Sequence, residues 1–301
     1  MAETFQTVCP ESGQRVDAYL ASLRKDLSRA HLQRLIKEGH VLVNGAAVKP
    51  SAKLQAGDAI QVTVPDVPPS QLTPQELPLT VVYQDLHIVV IDKSPGVTVH
   101  PGPGHPVGTL VNALIARYPE MAGVGGEQRP GIVHRLDAGT SGLMAAARSP
   151  LAYQSLIRQF RDRQVLKVYL ALVRGHPKPA EGVIDAPVGR NPRDRKRMSV
   201  VARGREALTE YHTVRRYDGY ALLEVRLHTG RTHQIRVHLS TLGHPVAGDP
   251  QYGGRVPFLR RQFLHAHRLG FAHPATGEPM EFTSPLPEDL RQALEGLATG
   301  D

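Results

Sequence analysis

The sequence predicts an α+β protein in which a mostly antiparallel sheet, interspersed with helices, follows a small N-terminal unit. Runs with strand periodicity succeed one another through short turns, and the helical stripes among them fall irregularly rather than in the alternation of a doubly wound sheet. A stretch with five prolines, PDVPPSQLTPQELP at 65–78, separates the two parts as a semi-rigid extended linker. At 301 residues, with 28 Gly, 25 Pro and no Trp, the chain has room for one large and one small domain rich in turns, with a core of Val, Leu, Ile and Ala. The boundaries that follow are 1–64, the linker 65–78, and 79–301.

In the first part, Val16, Tyr19, Leu20, Leu23 and Leu27 recur at helical spacing over 15–27, with Arg24 and Lys25 off the stripe. Ser28 is placed as the N-cap of a second stripe, Leu32, Leu35 and Ile36, which Gly39 closes. Asn44-Gly45 then lies between apolar runs. Both central positions of a type I′ hairpin turn need positive φ, which these two residues tolerate best, and GDAIQVTV supplies a further strand.

Beyond the linker, LTVVYQ and HIVVIDK read as strands, TLVNALIARY as a helix, and GIVH and GLMAAAR as strands flanking a polar loop. Ser149-Pro150 starts a helix, as N-cap and first helical residue, that runs to about Arg163. VLKVYLALVRG, ALTEYHTVRRY and YALLEVRLH are further strands; in the last, Val225 and Leu227 alternate with Glu224, Arg226 and His228. A helix over 232–242, a hairpin around HPATGEP and a helix after Pro287 complete the order.

Thirty-six Lys plus Arg against 28 Asp plus Glu give a net charge of +8, which makes a polyanion, and nucleic acid first, the expected partner. The single Cys9 excludes a disulfide-stapled scaffold and a zinc ribbon, and fits a reducing cytoplasm. No leader-like start and no apolar run near the ~18 residues of a membrane span are present, so a cytoplasmic protein without a membrane partner is expected. The charge is concentrated: residues 148–216 hold 16 Lys plus Arg and six Asp plus Glu, and 190–205 hold seven and one. That last stretch is either a solvated loop or an arm whose guanidinium groups contact phosphates, positioning RNA without reading it. Arg24, Lys25, Arg29, His31, Arg34 and Lys37 likewise form either a solvated helix face or a second phosphate-docking surface.

The most informative stretch is GIVHRLDAGTSGLMAAAR at 131–148, where His134, Arg135 and Asp137 converge on a Gly, Thr and Ser turn. On chemistry alone, Asp137 beside Arg135 is either a surface ion pair worth well under about 1 kcal/mol or a loop carboxylate held for catalysis by a rigid scaffold. Fifteen histidines raise the question of a metal, and no metal site is expected. His233 and His238 fall on different faces of their helix, His265 and His267 lack further convergent ligands, and HExxH is absent. VHPGPGHPVG lacks the Gly-Lys-Ser/Thr of a P-loop and reads as a turn.

RVDAYLASLRKDLSRAHLQRLIKEGHVLVNG, with the strand after it, resembles the S4 (αL-type) RNA-binding domain over residues 14–64. HRLDAGTSGL resembles the catalytic motif of the RluA/RluD family of RNA pseudouridine synthases. SPGVTVHPGPGHPVGTLVNAL, LKVYLALVRG and HTGRTHQIRVHLSTLGHPVAGDPQYGG resemble that family's other blocks in the same order, nearest to its RluD-like group. The resemblance implies a pseudouridine synthase catalytic domain that isomerises uridine. The uracil leaves C1′, rotates and rejoins through C5, with no cofactor.

Carried over by position, Asp137 is the essential carboxylate, Arg236 the arginine that pairs with it, and Tyr169 the tyrosine against the flipped base and a candidate acceptor of the C5 proton. Arg135 is the arginine that fills the gap left in the RNA stack. Lys167, Arg197, Arg231 and His233 fall in matching blocks as candidate substrate contacts, and His233 could equally pack or cap. Many members carry a charged residue after the aspartate where this chain has Ala138-Gly139, which bears on a local phosphate contact. A monomer acting on 23S ribosomal RNA is the expectation. A tRNA substrate and a non-catalytic RNA-binding or ribosome-assembly protein are the alternatives.

Overall fold

The computed structural model describes residues 3–24, 27, 29–65, 72–102, 106–126, 129–253 and 256–298. Lys25, the Ser28 cap, residues 66–71 of the 65–78 linker and part of the VHPGPGHPVG turn lie outside the described residues. The chain divides into two compact units, 1–69 and 70–301.

In the first unit, β1 (Glu3–Val8), α1 (Val16–Leu23), α2 (Arg29–Lys37), β2 (Val41–Val43), β3 (Ala46–Ala47) and β4 (Ala59–Val64) form an antiparallel sheet in the order β1-β4-β2-β3 with two helices. The apolar stripes meet the sheet as their spacing requires: Val16, Leu20, Leu32, Leu35, Ile36, Val41, Ile60 and Val62 are buried together. Asn44 and Gly45 join β2 to β3 with φ of 50° and 79°, the positive values these two residues tolerate best. β1 escapes the sequence reading because ETFQTV is a half-exposed edge strand with little apolar contrast.

Asp17 is fully buried and accepts hydrogen bonds from Arg15, Arg29 and Gln33. Arg24 pairs with Glu3 at 2.7 Å and lies over the Phe5 ring, and Arg34 stands 4.0 Å from Glu38. Arg24, Arg29 and Arg34 of the expected basic face thus each stand beside a carboxylate of the same unit.

The second unit is built on a nine-stranded sheet. Its strands are β5 (Thr80–Gln84), β6 (Ile88–Lys93), β7 (Ser141–Ala147), β8 (Leu166–Arg174), β9 (Glu181–Asp185), β12 (Leu208–Tyr217), β13 (Tyr220–Leu227), β14 (Leu264–Ala272) and β15 (Pro279–Thr283). The order is β5-β6-β7-β14-β8-β13-β12-β9, with β15 on β14, and every pairing is antiparallel except β7 with β14. A separate hairpin, β10 (Val188–Arg190) with β11 (Met198–Val200), carries the arginine-rich stretch. The helices are α3 (Leu110–Arg117), α4 (Pro150–Arg161), α5 (Gln234–Thr241) and α6 (Glu288–Ala298). Ser149 Oγ accepts from the Ala152 N–H, the cap expected at α4.

Strand periodicity distributes each central strand between two cores. In β6, Val89 and Ile91 join α3 and α5 on one face while Ile88 and Val90 join α4 on the other, and β7 divides in the same way. Tyr169, Ala171 and Val173 of β8 and Val225 and Leu227 of β13 belong to the first of these cores. GIVH is not a strand. Gly131 turns the chain at a φ of 68°, Ile132 makes a single bridge to Ala146, and 133–140 leave the sheet as a loop. Among the described residues, no helix is long and apolar enough to cross a membrane.

Candidate active site

The loop 133–140 enters β7 beside the N-terminal end of α5, over β8, and a cavity of about 400 Å³ opens there. Its backbone is held from below. Lys93, 2% exposed at the end of β6, donates Nζ to the carbonyls of Ser94, Val97 and Ala138 at 2.8, 3.0 and 3.2 Å. The Gly96 N–H donates to the Ala138 carbonyl at 2.8 Å, and Arg261 Nη1 to that of Gly139 at 3.0 Å. A loop carbonyl held by an ammonium and an amide has little freedom, so the neighbouring Asp137 carboxylate has a defined origin. Burial lowers the Lys93 pKa to about 8.

Asp137 Oδ2 accepts from Arg236 Nη1 at 2.9 Å, the residue being on the first turn of α5. The opposite edge of that guanidinium is closed: Nε and Nη2 donate to the fully buried Asp249 at 2.6 and 3.0 Å, and Nη2 reaches Gln251 Oε1 at 3.3 Å. Burial opposes the charge of Arg236, but the Asp249 hydrogen bonds and the charges of Asp137 and Asp249 outweigh it and raise its pKa. The cation is thereby fixed, with one N–H pair left for Asp137.

Period two places Lys167 and Tyr169 on the cavity side of β8. Tyr169 is 8% exposed; burial, and then the charge of Asp137, push its pKa up, so it is a neutral phenol at neutral pH. Lys167 has its ammonium 5.9 Å over the Phe160 ring, and burial, with Arg231 and Arg163 nearby, brings its pKa down to about 8. His134 stacks on the same ring at 4.5 Å and accepts from the Ala145 N–H; burial drives its pKa to about 3, and it stays neutral.

His233 occupies the position before α5 in the left-handed region at φ 57° without a capping hydrogen bond from its side chain, its Nε2 3.8 Å from Asp137 Oδ1 and its Nδ1 2.9 Å from the Tyr252 hydroxyl. Arg231 is tethered through Nε to the Glu206 carbonyl. Arg135 is exposed at the rim and has no ion pair or hydrogen bond among the described residues. Among the described residues, six Lys or Arg side chains line the cavity against one carboxylate, Asp137.

Of the eight candidate residues, Asp137, Tyr169, Arg236, Arg135, Lys167, Arg231 and His233 line this one cavity. Arg197 does not: on the β10–β11 hairpin, it lies over the Tyr252 ring and donates to the Gln251 carbonyl. His238 is buried, bonded to Thr209 and to the Ala186 carbonyl, and holds α5 to the fold. Lys93, Asp249, Gln251 and Tyr252 escaped the sequence reading. Asp249 and Tyr252 stand in the quoted GDPQYGG block, but without coordinates a carboxylate 13 positions from Arg236 has no visible partner.

The RNA pseudouridylate synthase family model matches residues 87–241, more than half of the chain, and the S4 domain model matches 14–60. An uncharacterized RNA pseudouridine synthase of Chloroflexus aurantiacus is 53% identical over 300 residues, covering 98% of this chain and 94% of its own. Ribosomal large subunit pseudouridine synthase D of Xanthomonas campestris is 44% identical over 308 residues, covering 97% and 92%. The solved structure of human RNA pseudouridylate synthase domain containing 4 superposes with a TM-score of 0.58 at 29% identity, over 73% of this chain and 93% of that one. The sheet, the S4 unit and these matches together make this chain a member of the RNA pseudouridylate synthase family, an isomerase of uridine in RNA.

Proposed function

We propose that this enzyme forms pseudouridine in large-subunit ribosomal RNA, with Asp137 as the reacting carboxylate. The observation that carries it is the pairing of Asp137 with a clamped Arg236 inside a cavity whose other charged lining residues, among those described, are all cations. The cations attract the RNA backbone and hold an extruded nucleotide, whose unstacking costs a few kcal/mol. Arg135, unpaired at the rim, is the group available to occupy the vacated stack.

Inside, Arg236 holds one oxygen of Asp137, and the other faces the sugar and base. Tyr169 offers the uracil a flat face and an O–H donor; it accepts the C5 proton only as a phenolate, which its raised pKa opposes at neutral pH. Lys167 supplies a cation within reach of a phosphate or a uracil carbonyl. The ribosomal substrate is supported by relatives named for the large subunit and by the S4 unit.

The test maps pseudouridine in 23S ribosomal RNA and in tRNA from cells lacking this protein, complemented with wild type or Asp137→Asn. Loss of a 23S site, restored by wild type alone, is expected. A site lost only from tRNA overturns the substrate, and restoration by Asp137→Asn overturns the catalytic residue.

A further inference from the structure

The segment Asp249–Tyr252 lies between the arginine-rich hairpin and the cavity and touches both. Gln251 Nε2 donates to the Lys196 carbonyl at 3.2 Å while its Oε1 accepts from Arg236. The Tyr252 ring has the Arg197 guanidinium carbon 5.1 Å from its centroid and that of Arg236 at 5.0 Å. The Met198 N–H at the start of β11 donates to the Tyr252 hydroxyl at 2.9 Å, and that hydroxyl lies 2.9 Å from His233 Nδ1.

The hydroxyl accepts from Met198, and its one hydrogen is available to Nδ1 when the imidazole carries its own on Nε2. Nε2 points at Asp137 Oδ1, the oxygen that Arg236 leaves free, 3.8 Å away. An N–H facing a carboxylate is the favourable arrangement and a lone pair there the unfavourable one, so Asp137 selects the neutral tautomer with hydrogen on Nε2, and the hydroxyl then donates to Nδ1. We propose that Tyr252 is a positioning residue of the reaction, its hydroxyl holding the His233 imidazole as an Nε2–H donor at Asp137 while its ring seats the arginine-rich hairpin against Arg236. Tyr252 does not line the cavity; it acts through His233, and the proposal rests on Asp137 being the reacting group.

The groups facing His233 are Asp137, Arg236, Asp249, Arg135 and the Tyr252 hydroxyl. Burial is the main cause of its lowered pKa, and a hydroxyl that donates to Nδ1 further obstructs protonation there. Tyr252→Phe keeps the ring and removes only the hydroxyl. Single-turnover conversion is measured on total RNA from cells lacking this protein, with pseudouridine read by chemical labelling and primer extension.

Tyr252→Phe is expected to melt within a few degrees of wild type, bind RNA within about threefold, and convert it at least about tenfold more slowly. Its pH–rate profile gains an inflection on the acid side that wild type lacks, as Nδ1 becomes free to take a proton. In a His233→Gln background the same change adds no further loss, because the hydroxyl has nothing left to orient. A wild-type rate and profile, or a loss additive with that of His233→Gln, overturns the assignment. Asp137→Asn separates the failures: an active Asp137→Asn overturns the underlying reading and this proposal with it, whereas an inactive one with additive losses overturns Tyr252 alone.

Discussion

Arg236 meets Asp137 with a single N–H pair, at 2.9 Å, because its other edge is already bound to Asp249 at 2.6 and 3.0 Å. The two carboxylates have different surroundings: the Asp249 side chain is fully buried, and that of Asp137 is 17% exposed. Asp249 closes one edge of the cation, and Asp137, paired with the other, stays open to the cavity.

Asp249→Asn keeps the shape but removes half of a buried pair. Breaking such a pair costs about 3–5 kcal/mol when a charge is left unpartnered; Asp137 still faces Arg236, so a loss of about 1–3 kcal/mol is expected. Turnover is expected to fall more than RNA affinity, since a guanidinium free to rotate no longer aims Asp137. Thermal unfolding beside kcat and a binding isotherm checks both, and wild-type turnover counts against the clamp.

Lys167 has a pKa of about 8 in the free protein. A phosphate bound beside it favours the charged form, so binding above pH 8 takes up a proton. Affinity for RNA is expected to hold below pH 8 and to weaken above it, by at most about tenfold per pH unit for one proton. Lys167→Met should flatten that part of the profile and reduce the slope of log K against log salt by about 1. Lys93 also titrates near pH 8, and a profile unchanged in Lys167→Met would assign the effect there.

In the S4 unit, hydrogen bonds from Arg15 foremost, then Gln33 and Arg29, hold the Asp17 pKa well below the carboxylate range against the cost of burial. The folded value lies under the unfolded one of about 3.9, so this stabilisation is complete above about pH 4 and is lost as pH falls through the folded value. Both arginines are about half exposed, and Asp17→Asn is expected to cost about 1–3 kcal/mol. Hydrogen exchange of amides in α1 and β4 reads this unit separately, and unchanged protection would contradict it.

Gly142 follows the Asp137 loop in β7 with a φ of 111°, and a Cβ there would collide with the Ala266 carbonyl across the parallel pairing. Gly142→Ala combines backbone strain with this clash, and a loss above about 3 kcal/mol is expected, with activity falling because the loop enters the sheet at this point. A melting temperature within a few degrees of wild type would contradict it.

The boundaries of most elements were legible because their causes are local. Ser149-Pro150 starts α4, Asn44-Gly45 makes its turn, and the period of two in β8 and β13 points Tyr169, Val225 and Leu227 inward. GIVH failed as a strand because its apolar run fills a core from a turn, which periodicity alone does not distinguish. β1 and β9 were missed as exposed edges, whose side chains do not need to alternate strongly.

By itself the sequence determined the α+β class, the basic charge and its concentration in 148–216, and through its motifs the family and seven residues that share one cavity. These follow from side-chain chemistry and short-range spacing. The tertiary structure alone decided which charges are spent. Arg197 is turned inward onto Tyr252, Arg29 is held by Asp17, and Arg236 is divided between Asp137 and a carboxylate that no local pattern announced. Pairings between residues distant in the chain are fixed by how helices and strands pack, and charge composition carries no record of them.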